Sequence, residues 1–495
     1  MMSLELSVGI DRMAVYIPKL YLPLTEEWAQ KRAEVFTKGD VKKLIQKIEK
    51  GVGVTKIAVP DMHEDSATMA AMAVKELLDT HKIPLSDIGY LAISSESSVD
   101  QSKPISAYVL GMLESYYHEK APHIGCTEFK FACVGSTYAL EAAINLVKGN
   151  AFQRPYALVV ATDIAQYDLK SAGEYTQGAG AVAMLISKNP RFLALDNYPM
   201  STFTCNERDF FRPNWRSTPV VDGKYSVNVY THCVSEALRD YLDHFRASET
   251  ALTGSDILSK IDHLLFHLPF PRMAEYATLR AVWPTIFPEL REYAALSEEE
   301  RRAQEQRIVE SPIFQNFFKE KVLPSLSHSQ QIGNIYSGSL FLSLAALAEK
   351  AVAEEKELVN HQVVLCAYGS GASSKVFSGH FGPGWQECAR ALKIEEKILN
   401  RRALSMEEYE RIHKSRDQNK MLIDEKAMQK LLHGEELTQE ERLALYERFI
   451  NPILTVPTLS PSILSPQGEF TLDSYGQSAT KEMNDVGLRY YSYIN

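Results

Sequence analysis

The chain is 495 residues long, 45% apolar, and carries 53 Lys and Arg against 63 Asp and Glu, a formal net charge of −10. This length suggests two or three domains or one large duplicated one, and the charge balance argues against wholesale binding to nucleic acid or an anionic membrane, while leaving room for local basic pockets for small phosphates. Six scattered cysteines (Cys126, Cys133, Cys205, Cys233, Cys366, Cys388) form no C-x-x-C pair, which indicates neither a zinc site nor a disulfide framework and suits a reducing compartment.

The chain runs from Met1 straight into the strand-like segment Val8 to Ile17, with no basic region, apolar signal core or transit peptide. No apolar run is long enough to span a bilayer, so a cytoplasmic protein is expected. Residues 24–50 are charged and helix-compatible, and Gly51 to Val59 reads as a turn and a strand. Asp65 or Ser66 is positioned to cap a helix that runs to about Thr80. Tyr90-Leu-Ala-Ile-Ser94 is a buried-type strand ending in the polar loop Ser95 to Ser102, the kind of strand end where α/β sheets carry ligand-binding loops. Glu96 in that loop is either a solvated acid or a functional carboxylate.

Next comes Phe129-Lys-Phe-Ala-Cys-Val-Gly-Ser-Thr137, a strand end turning into an Ala- and Leu-rich helix. Cys133 at this elbow has two readings. A free cysteine commonly packs as a small hydrophobe, but one at a helix start meets unpaired backbone N–H groups and a partial positive charge that favour the nucleophilic thiolate. Tyr156 to Asp163 and Gly178 to Ser187 are apolar strands, and the glycines heading the second permit tight turns or close approach of a ligand.

The second half repeats this order. Ile261 to Phe270 is a strand ending in His267 and a proline, Gly333 to Leu347 is a turn feeding an apolar helix, and His361 to Gly371 is a strand entering a glycine loop. In both halves a turn with a polar or nucleophilic side chain (Cys133, Asn334) opens an apolar helix, a coarse internal duplication that predicts an α/β architecture and a site shared between the halves. Residues 276–330 and 399–460 fall outside the repeat. Both are charged and helical, the first with the look of a surface insertion, and the runs around Arg401, Glu407 to Arg411 and Glu435 to Arg448 read as solvated helix faces. Pro457 to Pro466 is a connector, and the pieces at Phe470 and Leu488 are expected to be late strands packing back onto the core.

A thiolate able to carry an acyl group, a base for a carbon acid and a polariser for a ketone are the set needed for thioester condensation, and Cys133, Glu96 and His267 supply those residue types. Spacing alone does not bring them together. The segments Glu96-Ser-Ser-Val-Asp-Gln-Ser-Lys103, Ala132-Cys-Val-Gly-Ser-Thr137, Ala161-Thr-Asp-Ile-Ala-Gln-Tyr167, Thr176-Gln-Gly-Ala-Gly-Ala-Val-Ala-Met184, Asp209-Phe-Phe-Arg-Pro213, Val221-Asp-Gly-Lys-Tyr-Ser226, Phe266-His-Leu-Pro-Phe270, Gly333-Asn-Ile-Tyr336 and Tyr368-Gly-Ser-Gly371 resemble, in this order, those of hydroxymethylglutaryl-CoA synthases. The resemblance runs from residue 8 to about 412 and fades over 413–495.

The resemblance implies a thiolase-like fold, a duplicated α-β-α-β-α layered core, with halves at 1–188 and 189–398, an insertion at about 276–330 and a C-terminal extension at 399–495. It implies roles for individual residues too. Cys133 takes the acetyl group from acetyl-CoA, Glu96 is the acid/base acting on the acetyl methyl group, and His267 polarises the ketone of acetoacetyl-CoA. Backbone N–H groups at Cys133 and Ser370 are oxyanion donors, and Asn334 orients the acetoacetyl group. Tyr167, Thr176, Tyr230, Tyr336 and Tyr368 line the pocket, while Asp163 and Asp209 support the cysteine's surroundings. Arg272, where the family usually has Lys, meets a CoA phosphate, a role arginine fills well. Val134 stands where the family commonly has Tyr, which predicts a missing aromatic wall beside the nucleophile. By the same resemblance coenzyme A thioesters are substrates, no metal or redox cofactor is implied, and a homodimer is expected. Two rivals are a polyketide β-branching synthase acting on acyl carrier protein and a non-catalytic thiolase-fold scaffold. The long insertion and the presence of all four of Cys133, Glu96, His267 and Asn334 favour the mevalonate-pathway enzyme.

Overall fold

The structure is a computed structural model and describes residues 7–197, 200–213, 216–248, 254–287, 290, 296–418, 438–439, 459–475 and 488–494. Its strands in the first half are β1 (Val8–Tyr16), β2 (Leu20–Pro23), β3 (Lys56–Val59), β4 (Ile88–Ser94), β5 (Gly125–Phe129), β6 (Tyr156–Ala165) and β7 (Gly178–Lys188). The second half adds β8 (Leu193–Leu195), β9 (Ser201–Thr204), β10 (Phe210–Phe211), β11 (Val220–Val221), β12 (His263–Phe266), β13 (Gln362–Gly369) and β14 (Ser373–Phe381); β15 (Arg402–Ala403), β16 (Glu469–Tyr475) and β17 (Arg489–Ile494) follow.

The main sheet has the order β12-β13-β14-β8-β1-β7-β6-β4-β5, with β9 also on β14. Outward from β1 the pairings are antiparallel (β7), antiparallel (β6), parallel (β4) and parallel (β5). Outward from β8 they are antiparallel (β14), antiparallel (β13) and parallel (β12). The expected duplication is thus written in the strand order. Where the halves meet, β1 and β8 pair only at Gly9 with Ala194 and Ile10 with Leu193. A Cβ on Gly9 would lie 2.2 Å from the Leu193 carbonyl oxygen, so only glycine lets the two strands approach there.

Both faces of this sheet are covered, and the strands read accordingly as nearly continuous apolar runs. Alternate residues serve different cores. Val159 on β6 and Leu265, Leu365 and Ala367 on β12 and β13 join one core with the helices Gly135–Lys148 and Ser339–Ala353. Leu158 and Val160 face the helices Ser66–His81 and Ile105–Tyr117 on the other side. Leu264, Val364 and Cys366 face the helix Gly223–Ser248. The two central helices therefore share one core, which brings their starts together.

The region 276–330 differs from the expected surface insertion. Its polar helix, Glu298–Glu310, buries no residue, but Ala277, Val282, Trp283, Phe314 and Phe317 belong to the second-half core, with the Trp283 ring centroid 5.1 Å from Phe314 and 5.8 Å from Phe317. The charged run is an exposed helix between two buried aromatic anchors. Asp65 caps its helix as expected, accepting from the Ala67 and Thr68 N–H groups.

The extension also carries more than solvated faces. Helix Met406–Gln418 buries Tyr409, Ile412 and His413, and β16 and β17 form the expected late hairpin, with Phe470 in the core beside Tyr116. Glu469 meets His63 Nε2 at 2.8 Å, and Tyr491 donates to Asp65 at 2.7 Å, so the hairpin is tied to the first half. The run Glu435 to Arg448 lies outside the described residues apart from 438–439. No described helix is long and apolar enough to cross a membrane.

Candidate active site

The elbow before the helix Gly135–Lys148 is tight. Ala132 takes φ +41°, a left-handed conformation that costs an L-residue about 1–2 kcal/mol, and the Val134 N–H donates to the Phe131 carbonyl at 3.1 Å. The helix begins at Gly135, within the turn expected over residues 135–137, and a Cβ there would fall 2.6 Å from Ser94 Oγ, so the helix start packs against the end of β4 only as glycine. The elbow turns Cys133 into a cavity of about 380 Å³ and Val134 away from it.

That second consequence corrects the expectation for Val134. The residue is fully buried in the central core, its Cγ1 2.7 Å from where Gly369 would carry a Cβ, and it lines no part of the cavity. Replacing the family's tyrosine therefore removes no wall from this site; the aromatic walls are Tyr167, Phe210, Tyr230, Phe270, Tyr336 and Tyr368.

Glu96, Cys133, His267, Asn334, Ser370, Tyr167, Thr176, Tyr230, Tyr336 and Tyr368 all line this one cavity. Asp163, Asp209 and Arg272 do not, and each acts from behind or beside it. Asp163 is fully buried. Its Oδ1 accepts from the N–H groups of Glu96 (2.7 Å) and Ser97 (3.0 Å) and from Ser95 Oγ (3.1 Å), while its Oδ2 accepts from the Ser337 N–H (2.9 Å) and hydroxyl. One carboxylate so joins the Glu96 loop to the start of the second central helix. Asp209 accepts from Tyr368 OH (2.8 Å), Ser226 Oγ (3.0 Å) and the Gly371 N–H (3.0 Å), which anchors the loop carrying Ser370. Arg272 is 43% exposed and ion-paired with Glu275 at 2.7 Å, in the turn whose Pro269, Phe270 and Met273 edge the cavity.

The electrostatics work against the thiolate reading of Cys133. Burial pushes the Cys133 thiol well up, and the carboxylates of Glu96, Asp163 and Asp209 push the same way, against Arg212. A helix start contributes only about 0.3–1 kcal/mol, against which stand the desolvation of a part-buried thiol and three carboxylates. The resting nucleophile candidate is a neutral thiol. His267 is also buried, and burial alone lowers its pKa to about 3, so its ring is neutral. Its backbone is fixed by N–H donation to the Cys366 carbonyl (2.9 Å) and acceptance from Tyr230 OH (2.8 Å), and among the described residues no partner occupies its Nδ1. Asn334 Oδ1 accepts from the Tyr336 N–H (2.8 Å) and Ser339 Oγ (3.0 Å). With its oxygen so engaged, the amide offers its NH2 donors to the cavity it lines.

Arg212 is a residue that the sequence pattern did not single out. It lies inside the segment Asp209 to Pro213 and donates through Nη2 to Glu96 Oε1 at 2.8 Å and through Nη1 to the Glu96 carbonyl at 3.1 Å. The missed signal is an arginine in a segment otherwise assigned to support, 116 positions from its partner. Nor does the elbow of the second helix place Asn334 opposite Cys133, as the repeat suggested. Counting back from the helix starts, Ser339 and Gly135, the matching residue is Ser337, and its predecessor Tyr336 repeats φ +41°.

Behind the cavity, the helix Met406–Gln418 braces its wall. His413 Nε2 meets the Tyr167 carbonyl at 2.8 Å, Tyr409 OH accepts from Gln177, and Arg32 joins Glu410 to Glu174, next to the wall residues Tyr167 and Thr176.

Residues 5–190 match the family described as hydroxymethylglutaryl-coenzyme A synthase N terminal, and residues 193–439 match its C-terminal counterpart. A hydroxymethylglutaryl-CoA synthase of Haloferax volcanii is 32% identical over 428 residues, 82% of this chain and 91% of that protein. One of Enterococcus faecalis is 31% identical over 407 residues, covering 82% and 91%. Among solved structures, MvaS in complex with 3-hydroxy-3-methylglutaryl coenzyme A aligns with a TM-score of 0.77 at 27% identity, over 99% of this chain and all of that one. An HMG-CoA synthase complexed with CoA aligns at 0.68 and 26% identity, with the same coverage. In fold, in the order of its segments and in its catalytic class, the chain belongs to the hydroxymethylglutaryl-CoA synthase family.

Proposed function

We propose that the protein condenses acetyl-CoA with acetoacetyl-CoA and water to 3-hydroxy-3-methylglutaryl-CoA and CoA, through an acetyl thioester on Cys133, as a step of the mevalonate route to isoprenoids. The observation that carries the reading is the convergence of Cys133, Glu96, His267, Asn334 and Ser370, drawn from both halves, on one cavity. Cys133 attacks the acetyl carbonyl and CoA leaves. Because the thiol is held up by burial and three carboxylates, its proton has to leave as the thioester bond breaks and ends on the departing CoA sulfur, and the N–H groups of Cys133 and Ser370 are assigned to the oxyanion that forms. Glu96 then takes a proton from the acetyl methyl group, and the carbanion-like carbon attacks the ketone of acetoacetyl-CoA. Neutral His267 donates a hydrogen bond to that ketone oxygen, a role open to it because burial keeps it from carrying a charge. The Asn334 NH2 orients the acetoacetyl carbonyl. Water finally cleaves the enzyme thioester.

Arg272 is assigned to a CoA phosphate at the cavity edge, exchanging Glu275 for the ligand. The proposal includes a cytoplasmic homodimer, with halves at 1–188 and 189–398 and an extension at 399–495 that braces the Tyr167 wall. The likeness to the curacin-pathway synthase, at 24% identity and a TM-score of 0.68, is one of fold and supports no carrier-protein substrate.

The test is a two-stage labelling experiment. Protein mixed with labelled acetyl-CoA is isolated by gel filtration, then given acetoacetyl-CoA or its carrier-bound analogue. Label on Cys133 that discharges into hydroxymethylglutaryl-CoA is expected. Absence of label would sink the covalent route, and discharge by the carrier-bound substrate alone would sink the mevalonate assignment.

A further inference from the structure

We infer that Arg212 is a positioning residue for Glu96, a guanidinium from the second half that clamps both the carboxylate and the backbone of the Glu96 loop in the geometry proton abstraction needs. The inference rests on the reading of Glu96 as the base. Its ground is a two-point contact, Nη2 to Glu96 Oε1 at 2.8 Å and Nη1 to the Glu96 carbonyl at 3.1 Å, which fixes rotation as well as distance. The Arg212 and Glu96 side chains are 18% and 8% exposed, so water screens the pair little.

Location sharpens the case. Arg212 follows β10, whose ribbon with β11 supplies Phe210, Val220 and Val221 to the reaction cavity. Arg212 itself lines a separate polar cavity of about 100 Å³ with Ser97 and Ser98, whereas Glu96 lines the reaction cavity. Glu96 thus has two holders of opposite character. Asp163 fixes the loop through its N–H groups and brings a negative charge with it, whereas Arg212 fixes the carboxylate and brings a positive one. Without Arg212, an ionised Glu96 would lose the guanidinium that offsets the Asp163 charge.

The experiment uses the full chain with Arg212→Met and Arg212→Lys, and Glu96→Gln as reference, and records the acetylation amplitude, steady-state constants and their pH profile. Arg212→Met is expected to retain acetylation of Cys133, to lose about 100-fold in kcat of condensation with the KM for acetoacetyl-CoA within about threefold, and to move the acid limb of the profile up by about 1–2 pH units. Arg212→Lys should hold the acid limb near its original position while recovering only part of kcat, because an ammonium cannot serve both acceptors in a fixed fork. An acid limb unmoved in Arg212→Met, with Glu96→Gln inactive, overturns the inference and leaves the base assignment standing. Normal condensation by Glu96→Gln instead overturns the base assignment and the inference with it. Should Arg212→Met fail to fold by its thermal melt, Arg212→Lys decides, since wild-type kcat in that variant rules out a fork requirement.

Discussion

The two central helices start from the same backbone and put it to opposite uses. Ala132 and Tyr336 share φ +41°; the caps two residues later, Val134 and Gly338, have φ and ψ of −88° and −9° against −84° and −15°. Both helices end alike as well, with Asn150 and Glu355 at φ +51° and +53° just beyond. Yet Cys133 faces the cavity, whereas the hydroxyl of Ser337 is spent on Asp163 and the Ser94 carbonyl and is nearly sealed from solvent. The elbows even touch, Ser136 Oγ donating to the Ser337 carbonyl at 2.6 Å. A duplicated turn therefore yields one side chain that faces the cavity and one that serves as a strut on Asp163. The division extends further. In the proposed reaction the first half supplies the groups that change charge or covalent state, Cys133 and Glu96, and the second supplies neutral directed donors from His267 and Asn334.

The sharpest way to break this comparison is to remove the reactive elbow. Cys133→Ala should lose the acetyl label entirely and depress turnover by on the order of 10⁴-fold or more, as loss of a covalent nucleophile does elsewhere. Turnover within tenfold of wild type, measured by CoA release, would show that the first elbow is no more special than the second. Next in size comes the shared anchor. In Asp163→Asn an NH2 group has to face either the Ser337 donors or the N–H groups of Glu96 and Ser97, so the mismatch is unavoidable. A loss of about 2–4 kcal/mol in urea unfolding is expected, along with roughly 100-fold in condensation from a displaced Glu96.

The split between charge-changing and neutral groups has its own signature in pH. His267 is held near pKa 3 in the folded state against 6.5 in the unfolded chain. The unfolded state thus binds a proton that the native state refuses, and stability is lost as pH falls from 6.5 toward 3. Between pH 6.5 and 5 this one group should account for about 1.5 kcal/mol. His81 and His263 are depressed to about 4 with the same sign, so the comparison has to be with His267→Gln, whose urea-unfolding free energy should fall less over that interval by this amount. Equal slopes in the two proteins would mean that His267 takes up its proton in the folded state and is no neutral donor.

How much of this was open to a reader of the residues alone depends on the range of the interaction. The Asp65 cap was legible because the side chain and the N–H groups it accepts from lie within three residues. The duplicated strand order was legible because buried strands announce themselves as apolar runs. The charge state of Cys133 was not, since the helix start is local and visible whereas burial and three distant carboxylates are neither. Trp283 and Phe314 were hidden by the charged helix between them, and the fork of Arg212 on Glu96 by the 116 positions that separate them. Val134 was misjudged because its direction is set by the elbow at Ala132 and the space left by Gly369. Of the residues that the family resemblance named, it did not tell that Asp163, Asp209 and Arg272 stand behind or beside the cavity that the others line.

The smallest expected effect tests the strut itself. Ser337→Ala removes one hydroxyl donor from a buried carboxylate that keeps the Ser337 N–H and the three donors to Oδ1. Loss of one such bond, with the acceptor still largely satisfied, costs about 1–2 kcal/mol, visible as a shift of the urea midpoint at unchanged slope. Turnover and acetyl labelling should stay within about threefold of wild type, since Ser337 does not line the cavity. The informative alternative is a large fall in condensation with labelling intact. That would mean the hydroxyl steers Glu96 through Asp163, so the second elbow would belong to the reaction machinery after all, one carboxylate removed from the base.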